Sequence, residues 1–254
     1  MRRGWRLSAV VVLLVLSTAM LYATFGVGTA YVNNDGGTSV TSGSFNVSAG
    51  DLIVVVGHSD ENANSPAWAV SDNQAPDLTY TEIARRSDTD GLDGAVIAWY
   101  HVVVSPITGL TITLTLTNGA PTDVDSPAIK VYTAASTDFD AADVLGAQTE
   151  GDWTTDGQQT GNITPETSGV GVVVCSDWNQ SGVPTSADTT FTGFDTSGDI
   201  SGGSGFVALS AGVAANADMN SGSTPSGNYI WFEIRAGTGG AATPARLTLI
   251  GVGP

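Results

Sequence analysis

The stretch Leu110 to Thr117 reads L-T-I-T-L-T-L-T. In a strand, successive side chains point to opposite faces, so this order puts every Leu and Ile on one face and every Thr on the other. A helix would scatter the same residues around its axis and bury none of them well. Branching at Cβ suits Thr and Ile to a pleated surface. Similar rhythm predicts strands at Asp51 to Gly57, Leu78 to Arg85, Ala95 to Val104, Ala128 to Thr133, Gly169 to Ser176, Gly205 to Val213, Asn228 to Arg235 and Arg246 to Val252. Two runs, Ile53 to Val56 and Val172 to Cys175, are apolar throughout and predict central strands covered on both faces.

Turn-forming clusters separate these segments, among them Asn33 to Gly37, Asn118-Gly119, Ser181 to Pro184 and Ser201 to Gly205. No convincing amphipathic helix is present, and Asp138 to Leu145 has room for one helical turn. About ten to twelve short strands with Gly-rich turns predict an all-β fold, a two-layer antiparallel β-sandwich of jelly-roll type. The 254 residues suffice for one large domain over 31–254. A break, if there is one, falls in the polar stretch 150–168, and the two halves show no visible repeat. A hinge at Gly237 to Pro244 leads to the terminal segment 246–252. That strand closes the same sheet or pairs with a neighbouring subunit.

Residues 1–30 read differently. Arg2, Arg3 and Arg6 precede an apolar run from Ala9 to Leu16, which continues more weakly to Val27. A basic start, a short apolar stretch and small residues at Gly28 and Ala30 match a secretory signal peptide. The uncleaved alternative is a membrane anchor, since residues 9–27 number 19 and just span a bilayer. A first strand of the fold is the third reading. Beyond residue 30, five basic residues stand against 25 acidic ones, a net charge of −20. So acidic a surface repels phosphate and excludes nucleic acid as a partner. The single Cys rules out an internal disulfide framework and any Cys-rich zinc site.

The order of features from Ala49 to Arg235 adds a resemblance. It runs from A-G-D-L-I-V-V-V at 49–56, through Trp68, Ala84-Arg85-Arg86 and Ala98-Trp99-Tyr100-His101-Val102, to the Thr-rich strand at 110–117. Ala128-Ile129-Lys130-Val131-Tyr132, an acidic loop with Asp138, Asp140 and Asp143, G-V-G-V-V-V at 169–174 and Trp231 to Arg235 complete it. This resembles β-sandwich structural proteins of tailed phages and related bacterial surface proteins. The resemblance implies assembly rather than catalysis and transfers no catalytic residue.

Candidate chemistry is sparse. Asp88, Asp90 and Asp93 sit on a Gly-containing loop where carboxylates can converge on Ca²⁺, although the spacing is not that of an EF-hand. The alternative is a solvated hairpin turn, and the same choice applies to Asp138, Asp140 and Asp143. No other cofactor is expected. His58 and His101 lie in or beside strands, where backbone-bonded histidines are the ordinary case and a general base the other. Cys175 reads as a small core residue. Glu82 and Glu233 fall in strands and would serve a glycosidase only if one cleft held both. Trp68, Trp153 and Trp178 occupy polar, loop-like contexts. There they either cap the core or offer ring faces that stack on a glycan.

These features predict a non-enzymatic, exported structural or attachment protein at a cell surface or on a virion. Its partners would be copies of itself or other surface proteins. A carbohydrate-binding module, or a polysaccharide-active enzyme using the Trp-bearing loops, is the alternative. Contact with a membrane would come only through residues 9–27.

Overall fold

The computed structural model describes residues 30–32, 38–59, 67–87, 94–117, 127–155, 157–177, 185, 192–196, 200–220 and 227–237. The leader-like segment and the terminal strand 246–252 lie outside them. The described residues form seventeen strands and no helix. In the first half these are β1 (Ala30–Val32), β2 (Ser39–Thr41), β3 (Phe45–Val47), β4 (Leu52–Ser59), β5 (Trp68–Asp72), β6 (Thr81–Ser87), β7 (Ala95–Val102), β8 (Ile107–Leu110), β9 (Ile112–Leu116) and β10 (Ala128–Ala134). In the second they are β11 (Leu145–Trp153), β12 (Gln158–Gln159), β13 (Gly169–Asp177), β14 (Thr192–Thr196), β15 (Ile200–Leu209), β16 (Asp218–Met219) and β17 (Gly227–Arg235).

Two five-stranded antiparallel sheets dominate. The first has the order β1-β10-β4-β7-β6 and the second β11-β17-β13-β15-β14. Their facing sides share one apolar core. Leu52, Val54 and Val56 of β4 meet Val170, Val172 and Val174 of β13, with Tyr132, Phe232 and Ile234 around them. Period-two alternation sends Ile53 and Val55 to the other side of the first sheet. There the sheets β2-β9-β5 and β3-β8 cover them with Ile112, Leu114 and Leu116. The outer side of the second sheet is covered around the β12-β16 pair, with Trp153, Ile163, Leu209 and Met219 packed on Val173 and Cys175. The fold is all-β and antiparallel, as the alternation predicts. The expected two layers form only its centre, because each carries a further layer outside. β4 and β13 are buried at every position, as their unbroken apolar runs require.

The two halves repeat one strand order. In each, the first strand pairs with the last, the last with a central strand, and that strand with the penultimate long one. The correspondence extends to the covering layers, where β2-β9 has its counterpart in β12-β16. Ladder register aligns the halves: Val56 lies opposite Lys130 and Ala98, and Val174 opposite Ile230 and Ser204.

Within the polar stretch 150–168, β11 runs through Trp153, β12 pairs with β16, and Ile163 bridges Ala215. Two local expectations are corrected. Asp138 to Leu145 makes turns, closed by Asp138 N–H donating to Ala135 O and Asp143 N–H to Asp140 O, while Phe139 enters the central core. Ser201 to Gly205 is strand, not turn, and lies inside β15. Gly202 is needed for close approach: a Cβ there would sit 2.7 Å from the Cys175 carbonyl oxygen and 2.5 Å from His58 Nε2.

Candidate functional site

Opposite those glycines lies a polar corner buried between the two main sheets. Alternation along β4 turns His58 inward with Val54 and Val56, and the bare backbone of Gly202 leaves room for its ring. Burial holds the His58 imidazole down at about 3, so it is neutral at physiological pH. On β10 the same parity turns Lys130 and Tyr132 inward. Lys130, 2% exposed, places Nζ 3.4 Å from the Ser204 carbonyl and 5.0 Å from the centroid of the Tyr132 ring. Burial lowers this amine to about 8. The Tyr132 hydroxyl and Ser204 Oγ are 2.6 Å apart, and Phe206 packs edge-on against the Tyr132 ring. Burial raises the phenol further above its ordinary range. Nearby, Asn228 Nδ2 donates to the Gly94 carbonyl and Ser176 Oγ accepts from the Asn228 N–H, tying β17 and β13 to the start of β7. This corner fixes how the two sheets sit on each other.

A groove of about 350 Å³ opens at the other end of β7, lined in part by Thr79, Thr81, Tyr100, His101, Asp143 and Leu145. His101 Nδ1 lies 2.8 Å from the Thr79 carbonyl. A carbonyl only accepts, so Nδ1–H is the donor of this bond. Tyr80 leans on the His101 ring at 5.7 Å and donates its hydroxyl to Asp72 Oδ2. On the far wall Asp143 is ion-paired with Arg235, which also reaches Glu166 at 3.5 Å.

The Trp residues are placed differently from the glycan-stacking expectation. Trp68 is 7% exposed and packs inward from β5, and Trp153 is fully buried against Met219 and Trp231. The Trp153 Nε1–H donates to the Thr155 carbonyl. Neither ring has an open face, because each occupies the inward parity of its strand. Trp99 and Trp231 are core residues, as expected. Trp178 and the acidic trio Asp88, Asp90 and Asp93 lie outside the described residues. In the second acidic loop, Asp140 Oδ1 accepts from the Ala142 N–H and Asp138 accepts from Thr137. Among the described residues no group of three or more candidate ligands gathers for a metal.

Glu82 and Glu233 do not share a cleft. Glu82 stands on the edge strand β6 and pairs with Arg85 at 2.7 Å. Glu233 is buried on the outer side of the other sheet, where Oε2 accepts from the Ala147 N–H and burial raises its carboxyl. Cys175 is buried in the outer core with its thiol pushed up by desolvation. The parts the sequence reading missed are Tyr132 and Ser204 as partners of Lys130. The signal was the parity of A-I-K-V-Y, which puts Lys130 and Tyr132 on the same face.

No protein-family model, curated protein or solved structure matches the chain.

Proposed function

We propose that this chain is a structural module that works by assembly or attachment, exported to a cell surface or carried on a virion. The observation that carries this reading is the pair of five-stranded sheets locked on a common apolar core, each backed by its own outer layer. Strands buried on both faces make a stiff scaffold, and unpaired sheet edges are templates for further pairing. The only Lys of the chain is Lys130, which is inside, so no lysine guards an edge. The surface of β2-β9-β5 adds an uncharged array of hydroxyls, with Thr41 and Thr113 Oγ1 atoms 2.8 Å apart across the ladder. Arg2, Arg3, Arg6 and the apolar run behind them support export.

The first half has the strand order of a jelly roll with one strand moved. Counting β2 with β3 and β8 with β9 as single bent strands gives it eight strands. Their larger sheet runs first-eighth-third-sixth-fifth and their smaller one second-seventh-fourth. The fifth strand has moved from the smaller sheet to the larger. This supports kinship with virion and surface sandwiches.

Light scattering and electron microscopy of the mature protein test the assembly reading. Ordered oligomers or particles are expected, and a strictly monomeric species at high concentration overturns it. Glycan binding keeps support from the groove beside Tyr100 and His101, where hydroxyl and ring groups meet. Binding on a glycan array that disappears in Tyr100→Ala would favour that second reading.

A further inference from the structure

We infer that Glu233 is a proton-operated latch: its carboxyl stands in for a ladder partner at a bulge in β11, and its ionisation loosens the start of that strand. On the β11–β17 ladder Leu145 lies opposite Ile234 and Gln148 opposite Phe232. Gly146 and Ala147 therefore oppose Glu233 alone, two residues against one. The Ala147 N–H donates to Glu233 Oε2 at 3.0 Å instead of to the backbone of β17. Gly146 completes the fit, because a Cβ there would collide with the Glu233 carboxyl. Glu233 is fully buried, and its Oε1 has no hydrogen-bond partner among the described residues.

This position suits the carboxyl with its proton on. Ionised, it is a buried charge with one N–H donor, and burial raises it above the ordinary 4.5 despite that donor. The charges around it do not relieve this. Glu166 adds repulsion. Arg235, two residues along the same face of β17, is engaged by Asp143 and Glu166. Strand β13 sets Gly171 opposite Glu233. Of the other titratable groups on this side, the Tyr229 hydroxyl accepts from the Gly161 N–H, Asp218 accepts from Asn220, and the Cys175 thiol is itself pushed up. Glu150 and Asp152 have the other parity of β11 and lie opposite Ile230 and Asn228. The latch is therefore complete below about pH 4.5 and is lost as pH rises through the raised value. The carboxylate then gains water most directly by displacing the bulge it holds. Leu145, the first residue of β11, and Asp143 just before it line the groove at the end of β7, so the latch sets the position of that wall.

Hydrogen exchange resolved by peptide in the full-length chain tests this, with rates corrected for their intrinsic pH dependence. From about pH 4 to about pH 8, protection of residues 143–150 should fall at least tenfold while that of β13 holds. Glu233→Gln, which keeps the shape without the charge, should hold its protection at both ends. An equal fall in wild type and variant, a wild type that does not change, or a β13 that falls in step overturns the latch. Carbon-13 NMR of the unaltered chain gives a check that needs no variant. The Glu233 carboxyl should titrate above 4.5 and move the Ala147 amide signal with it. Titration at the ordinary value, or one that leaves the Ala147 amide unmoved, overturns the latch as well.

Discussion

At the scale of single residues, the buried bases His58 and Lys130 make stability depend on pH in opposite halves of the scale. His58 titrates at about 3 when folded, against about 6.5 unfolded. Between those values the unfolded chain holds a proton that the folded one refuses, so stability falls on acidification from pH 6.5 and levels off below 3. The loss is on the order of 5 kcal/mol. Urea denaturation from pH 7 to 3 should show this decline, and His58→Gln should remove its share; identical slopes for both proteins would refute the assignment. Lys130 behaves as a penalty that is complete below its folded value of about 8 and relieved as pH rises toward about 10.5. Lys130→Met should therefore raise stability at pH 7 by roughly 1–3 kcal/mol, with a smaller gain at pH 10. Parity along β10 made the inward aim of Lys130 legible. Its partner Ser204 was not legible, because it comes from a strand more than seventy residues away.

At the scale of elements, the Gly-rich segment of β15 shows where local reading and tertiary need part. Glycine loses more backbone freedom in a strand than any other residue, which argues for a turn at Ser201 to Gly205. The fold accepts that cost because His58 and the Cys175 carbonyl occupy the space where side chains would stand. Gly202→Ala should destabilise by roughly 1–3 kcal/mol through overpacking, read as a lower denaturant midpoint with an unchanged slope. Pairing it with His58→Ala should recover only part of the loss, since the carbonyl contact remains; full recovery would mean that the ring alone sets the limit. β4 and β13 were legible as strands because each holds an unbroken apolar run, Ile53 to Val56 and Val172 to Cys175. β5 and β11 were not, since their mixed side chains are held by the neighbours β9 and β17.

At the scale of the whole molecule, the two halves are welded by the core between the main sheets, to which both contribute. They should unfold as one unit. Phe232→Ala, in the shared core, should cost roughly 3–5 kcal/mol and lower both halves together. Hydrogen exchange resolved by peptide should then show β4 and β13 losing equal protection; a first half that keeps its protection would mean that the halves are independent. The chain order alone determined that the backbone is extended, which side of each long strand is oily, and that two strands lie deep, because those properties repeat every two residues. The tertiary structure alone decided that two like-ordered halves stack face to face, that Trp68 and Trp153 turn inward, and that Lys130 finds Ser204. Each of these depends on which distant strand becomes a neighbour, and a period of two carries no record of that.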